Sequence, residues 1–202
     1  MRRPLLAALL LALGTTACSQ PDAKPQQAAG ADTAPGEQAT PASIDSALAS
    51  FREGLPVVTR LEHGQLSRDA LVENFVRAVE RNDTAAVSRM HVSRAEYAYL
   101  YFPTSIYMRE PYAQPPAIAW LLTSQNSEKG ISRVLRRLGG RQIGFAGYRC
   151  AEESREDGNT FWRSCALTYR DPRDRTPVTR RLFGAIIERD GRYKFLSYAN
   201  DF

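Results

Sequence analysis

Apolar residues recur at helical spacing through the first half of the chain beyond residue 43. Two such stripes begin at Ile44 and Leu71. Both have the period of three to four residues with which one face of an amphipathic helix meets a core. Ser67 is a candidate N-cap for the second stripe, Asn82-Asp83 ends it, and a short helix is predicted over 84–90. This half of the chain is therefore predicted to be helical.

Two further helices are indicated by the residues at their ends. Ser93 and Glu96 have the spacing of a capping box, in which the hydroxyl and the carboxylate satisfy reciprocal backbone donors. That helix is expected to stop at Pro103. The pair Pro115-Pro116 begins another helical stretch, for which the polar run at 124–127 predicts a break. A second segment then runs from 128 to 138 and stops at two glycines.

The second half of the chain has the composition of strands. Four runs rich in aromatic and β-branched residues cover 142–152, 160–170, 178–189 and 193–199. Asp157-Gly158 and Asp190-Gly191 lie between pairs of these runs and are typical of two-residue hairpin turns. Helices followed by strands favour an α+β fold, with the N-terminal helices packed on an antiparallel sheet of about four strands.

The Asp157-Gly158 turn also predicts a disulfide. In a hairpin centred there, Glu156 faces Asn159, and counting outward places Cys150 opposite Cys165. Opposed residues in a non-hydrogen-bonded pair lie within disulfide range. The alternatives are two buried free thiols or a shifted register. A bridge that closes a loop of this size contributes about 3 kcal/mol, so its expected role is structural.

The first 17 residues have the three parts of a signal peptide. Arg2 and Arg3 precede an apolar run over 5–13, and small residues then lead into Cys18. The run is much shorter than the roughly 20 residues of a spanning helix, so we expect it to be cleaved. The segment Thr15-Thr16-Ala17-Cys18 resembles a bacterial lipobox, although such boxes usually carry Leu where this chain has Thr15.

The lipobox resemblance implies an exported lipoprotein of the cell envelope, with acyl chains such as palmitate on Cys18. Two or more acyl chains would anchor it stably to a membrane, at the outer membrane, the periplasmic face or the cell surface. The chain has three cysteines, and lipidation of Cys18 leaves an even pair, as suits an oxidising compartment. The alternative is an ordinary cleavage site and a released soluble product.

Composition divides the rest of the chain into a tether and one domain. Beyond Cys18, residues up to 43 include no aromatic and no large aliphatic side chain. Together with Cys18 they form a predicted flexible linker, 18–43, whose typical reach is on the order of 30 Å. Residues 44–202 are long enough for a single α+β domain with one core.

The net charge does not indicate a nucleic-acid partner. Lys and Arg total 27 against 22 Asp and Glu, with a pI near 9.3. The basic residues are nearly all arginine, and acidic residues are interleaved with them. No nucleic-acid-binding motif is present. Most of the arginines are expected on solvated faces, with anionic headgroups or an acidic partner as the alternative.

No motif for catalysis, metal binding or a cofactor is present. The two histidines, His63 and His91, lack partners at ligand spacing and are expected in surface or capping roles. The chain has no glycine-rich phosphate loop and no nucleophile elbow. We therefore assign no catalytic residue, no metal site and no cofactor.

Aromatic residues concentrate between 97 and 120. Tyr97 and Tyr101 share a predicted helical face, and Trp120 follows in the next helix. Aromatics at helical spacing most often pack in a core. The alternative is a ligand pocket lined by Tyr97, Tyr101 and Trp120, because tyrosines combine an apolar ring with a hydroxyl.

Two parts of the domain resemble the nuclear-transport-factor-two-like superfamily. The helix at 71–83, and the meander at 183–198 with its Asp-Gly hairpin and terminal strand, carry this resemblance. It implies a cone-like domain in which a curved sheet wraps a long helix. Its members use the interior of the cone for isomerase or dehydratase chemistry or for binding, and none of their catalytic acids or histidines matches a position here.

These observations lead to two functional hypotheses. The first is a membrane-anchored lipoprotein whose domain is a non-catalytic binding module for a protein partner or a small apolar ligand. The second is an enzyme of isomerase or hydrolase type that uses a carboxylate or a tyrosine inside the cone. A buried carboxylate that faces an enclosed cavity would favour the enzyme.

Overall fold

The computed structural model describes residues 41–202, and side chains from Ser43 onward. The predicted signal peptide, Cys18 and nearly all of the linker lie outside these residues. The α-helices of the described part are α1 (Pro41–Arg52), α2 (Arg68–Glu80), α3 (Thr84–Arg89), α4 (Arg94–Glu96) and α5 (Pro116–Leu138). Between α4 and α5 lie a π-helical turn, Tyr97–Tyr101, and two 3₁₀ turns, Phe102–Thr104 and Ile106–Met108.

Side-chain caps fix where the helices begin, as the sequence predicts. Ser67 Oγ accepts a hydrogen bond of 3.0 Å from the backbone N–H of Ala70 at the start of α2. Ser93 and Glu96 form the predicted capping box at the start of α4. The helical segment does not stop at Pro103, because a proline in the first turn of a 3₁₀ helix loses no hydrogen bond.

The prediction of a break at 124–127 is wrong, because α5 is continuous over 23 residues. Gly130 lies so close to the end of the sheet that an added Cβ would be 1.9 Å from the carbonyl oxygen of Tyr198. The nearby Ser127 is buried on the same side. The small and polar residues therefore mark a close contact between α5 and the chain after β5, and not the end of a helix.

The sheet has five antiparallel strands: β1 (Gly147–Glu156), β2 (Asn159–Arg170), β3 (Pro177–Arg180), β4 (Ala185–Arg189) and β5 (Arg192–Ser197). The third predicted run is two strands, β3 and β4, which pair with opposite ends of β2. They are separated because Leu182 and Phe183 leave the ladder and are fully buried in the core. The result is the expected α+β fold with a curved, unclosed sheet.

The predicted hairpin register is confirmed. Asp157 and Gly158 have positive φ angles of 42° and 84°, as a two-residue turn of type I′ requires. Cys150 pairs with Cys165 across β1 and β2, and the two sulfurs form a disulfide with an S–S distance of 2.01 Å.

Both faces of β4 and β5 are covered, which explains their continuous apolar runs. Ile186 and Phe195 belong to a first core with α2, α3 and the second half of α5. Their neighbours Ile187 and Leu196 belong to a second core with α1, the π-helical turn and the start of α5. No helix in residues 41–202 has the length and apolar character needed to span a bilayer.

Candidate functional site

A groove of about 850 Å³ lies between α3, the segment 90–94 and α5. Much of its wall is apolar and includes Val87, Val92, Trp120, Ile131 and Leu135. Polar groups come from Ser127 on α5, from His91 and Glu96, and from Lys194 on β5. These residues are far apart in the sequence, and the fold brings them together at one depression.

Main-chain pairing with β5 places His91 in this groove. The N–H of Val92 donates to the carbonyl of Phe195 at 2.9 Å, and the N–H of Phe195 donates to the carbonyl of Met90 at 2.8 Å. His91 thus forms an isolated parallel bridge with Phe195. The segment before α4 extends the sheet edge, and its histidine side chain lies against α5.

His91 and Ser127 form a polar pair at the groove. His91 Nδ1 lies 2.8 Å from the carbonyl oxygen of Val92, and Nε2 lies 3.2 Å from Ser127 Oγ. Because a carbonyl only accepts, Nδ1 carries the proton, and the serine hydroxyl donates to Nε2. Burial lowers the pKa of His91 to about 4, so the imidazole is neutral at pH 7.

Ser127 also fixes α5 to the end of the sheet. The backbone N–H of Tyr198 donates to Ser127 Oγ at 3.1 Å, and the Tyr198 hydroxyl donates to the carbonyl of Val87 on α3 at 2.7 Å. The amide of Asn200 donates to the carbonyl of Gly130 at 2.7 Å. Residues 198–200 thus hold both α3 and α5, the two helices that form the sides of the groove.

A buried ion pair completes the polar part of the site. Lys194 Nζ lies 2.8 and 3.1 Å from the two carboxylate oxygens of Glu96. The same oxygens accept hydrogen bonds of 2.6 Å from the backbone N–H groups of Glu62 and Ser93. Each oxygen therefore accepts from two donors, so the buried carboxylate has hydrogen-bond partners on both oxygens.

The three aromatic residues predicted as a possible pocket contact one another. The ring of Tyr97 lies 5.0 Å from that of Trp120 and 5.1 Å from that of Tyr101. Tyr97 has no exposed surface and belongs to the second core, and of the three residues only Trp120 lines the groove. Burial raises the pKa of both tyrosines, so neither acts as a base near neutral pH.

No pattern in the sequence indicates the pairing of His91 with Ser127, because the two residues are separated by 36 positions. The sequence does not indicate that Lys194 is buried either, because it alternates with Arg192 as well as with Leu196 along one side of β5. His63 is exposed beside the groove. In the described part of the chain, no three His, Cys, Asp or Glu side chains are grouped so that they could hold a metal ion.

Comparisons with protein-family models, curated proteins and solved structures find no significant match to this chain. The function of the groove is therefore inferred from its geometry and chemistry.

Proposed function

We propose that the protein is a lipid-anchored envelope protein whose domain binds a small, largely apolar ligand in the groove between α3 and α5. The observation that carries this proposal is a groove of about 850 Å³ that combines apolar side chains, such as Val92, Ile131 and Leu135, with hydrogen-bonded polar groups. Small-molecule sites in proteins are typically about 300–1,000 Å³ and have this composition.

The polar groups define where the polar end of such a ligand would lie. The Glu96 carboxylate is engaged by Lys194 and two backbone donors, so it is not an open site for a cation. His91 is neutral and already accepts a hydrogen bond from Ser127. This part of the groove suits a hydroxyl or carbonyl group, while Ile131 and Leu135 would contact the apolar part of the ligand.

Two features support the assignment to a lipoprotein with a domain like nuclear transport factor two. Helices on a curved, open sheet are the architecture that this resemblance implies. The Cys150–Cys165 disulfide is typical of an oxidising, exported compartment. Cys18 would then be the lipidated mature N-terminus, and the predicted linker would connect it to α1.

Native mass spectrometry of the purified chain tests the ligand proposal. We expect a copurifying ligand in wild type, and its loss in Ser132→Trp, which adds a large side chain at an exposed position of the groove. Ala117→Trp is the matched control, because Ala117 is exposed on the same helix outside the groove. Equal ligand occupancy in both variants would contradict this site, as would an empty wild-type protein that binds nothing in a broad screen.

Detergent-phase partitioning tests the anchor separately. Wild-type protein expressed in bacteria should enter the detergent phase, and Cys18→Ser should remain in the aqueous phase. Equal partitioning of the two proteins would exclude lipidation at Cys18.

A second function, hydrolysis of an ester, is favoured by the contact between Ser127 and His91. The hydroxyl donates to a neutral imidazole whose other nitrogen is oriented by a carbonyl, which is the relation between a nucleophile and its base. Neither tyrosine fits the role of base. A serine-directed fluorophosphonate should label wild type and not Ser127→Ala if this function is present, and unlabelled wild type would reject it.

A further inference from the structure

The exposed side of α5 has an apolar half and a basic half. In the first half, Ile118, Leu121 and Leu122 are 47%, 48% and 49% exposed, which is unusual for three large apolar residues on neighbouring turns. On the same side of the helix, Lys129 and Arg136 follow at multiples of the helical repeat. Both basic residues are exposed, and neither has a carboxylate within ion-pairing distance among the described residues.

The charged residues of α5 are mostly basic, and they all lie in the second half of its length. Its sequence contains one acidic residue, Glu128, and four basic residues, all of them in the second half of the helix. The first half has no charged residue. A helix with an apolar stretch and a cluster of bases is typical of segments that lie in the interface of an anionic bilayer.

The start of the described chain packs against the buried side of the first half of α5, opposite to this face. Ile44, Leu48 and Phe51 of α1 share a core with Ala119 and Trp120 of α5. The first described helix, α1, therefore lies against the first half of α5. For a linker of about 25 residues the typical reach is on the order of 30 Å, so a lipid on Cys18 would keep this face within reach of the bilayer.

We propose that this exposed face of α5, defined by Ile118, Leu121, Leu122, Lys129 and Arg136, lies on the anionic bilayer surface that holds the lipid anchor. The apolar residues enter the boundary between headgroups and acyl chains, and the basic residues contact the phosphates of the headgroups. The membrane location rests on the proposed lipidation, whereas the affinity of the face for a bilayer does not.

A bilayer fits this face better than a second copy of the chain. A stable dimer buries about 800 Å² on each partner, which is far more than three half-exposed side chains supply. An antiparallel pair of α5 helices would also place the basic half of one copy against the uncharged half of the other. That arrangement does not neutralise Lys129 and Arg136, whereas anionic headgroups do.

Vesicle cosedimentation tests the face without the anchor. The protein used is the chain from residue 18 onward with Cys18→Ser, mixed with vesicles of phosphatidylglycerol and phosphatidylcholine or of phosphatidylcholine alone. We expect measurable binding to the anionic vesicles that weakens with salt. Leu121→Gln with Leu122→Gln should lower that binding at least ten-fold. Lys129→Gln with Arg136→Gln should remove most of the preference for anionic vesicles.

Val57→Gln with Leu66→Gln provides the matched control. Both residues are large, apolar and 74% exposed, and they lie outside α5, so their replacement should leave vesicle binding unchanged. Circular dichroism of each variant establishes that the fold is retained. Equal binding by the Leu121/Leu122 variant and wild type overturns the proposal, as does a wild-type chain that binds neither kind of vesicle. Sedimentation velocity tests the alternative that a second copy of the chain occupies the face. A wild-type dimer that the Leu121/Leu122 change abolishes would assign the face to that second copy and overturn the proposal.

The two proposals fail separately. If wild type and Cys18→Ser partition equally into detergent but vesicle binding is retained, lipidation at Cys18 is excluded and the proposal for the α5 face stands. If Cys18→Ser loses detergent partitioning but the Leu121/Leu122 variant binds vesicles as wild type does, the lipid anchor stands and the proposal for the α5 face is excluded.

Discussion

Replacement of Lys194 by methionine isolates the contribution of the buried ion pair. The lysine and glutamate side chains are only 5% and 1% exposed, and both are held at hydrogen-bonding distance. Lys194→Met keeps most of the aliphatic volume and removes the charge. The carboxylate of Glu96 then remains in the interior with two backbone donors, from Glu62 and Ser93, and without its counter-ion.

Removal of one member of a buried pair costs about 3–5 kcal/mol, mostly because the remaining charge loses its compensation. Glu96 keeps two short hydrogen bonds, so we expect the lower end, about 3 kcal/mol. This is a large part of the 5–15 kcal/mol by which domains are typically stable.

Urea unfolding followed by circular dichroism measures these differences. The exposed pair of Glu73 and Arg77 on α2 is the matched control, since its side chains are more than half exposed and its atoms lie 3.6 Å apart. Breaking that pair with Arg77→Met should cost at most about 0.5 kcal/mol. A Lys194→Met cost as small as the control would refute this account of the ion pair.

Three other perturbations have defined outcomes in the same unfolding assay. Replacing Cys150 and Cys165 together by serine should cost about 3 kcal/mol, because the bridge closes a loop of 15 residues in the unfolded chain. Gly130→Ala should cost at least about 2 kcal/mol, because the new Cβ would overlap the carbonyl oxygen of Tyr198. The lowered pKa of His91 means that the unfolded chain takes up this proton first, so stability is lost as pH falls from about 6.5 to 4, by up to ~3 kcal/mol.

Each of these three predictions has a result that would disprove it. A reduced wild type as stable as the oxidised form would show that the disulfide adds nothing. Gly130→Ala with wild-type stability would mean that α5 is not in close contact with the sheet end. A His91→Gln variant should lose less stability over the same pH interval than wild type, and an identical pH profile would assign the dependence to other groups.

Local signals predicted the hairpins and the helix starts correctly. The turn at Asp157-Gly158 fixes the register of β1 and β2 through its own geometry, and the disulfide follows from that register. Ser67 and the box of Ser93 with Glu96 act through bonds to residues three positions away. Signals of this kind depend only on neighbours in the sequence, and they were sufficient here.

Long-range packing explains the predictions that were wrong or absent. The residues around Ser127 and Gly130 looked like a helix end, yet they are small and polar because the chain at Tyr198 lies against them. The groove depends on α3, α5 and β5 meeting, and nothing local to His91 indicates which helix will lie beside it. Glu96 was recognised as a cap, while its second role as partner of Lys194 came only from the fold.

Strands β1 and β5 of the sheet differ in how they resist pairing with other molecules. Pairs with Gln65 and His91 occupy part of the free edge of β5. Within residues 41–202 no strand lies beside the outer edge of β1, and β1 carries exposed charged residues that include Glu152, Glu153 and Arg155. Charges on an open edge oppose strand addition between identical molecules. If the proposed lipid anchor confines the protein to a membrane surface, where copies meet often, these charges would prevent the sheets of adjacent copies from joining into aggregates.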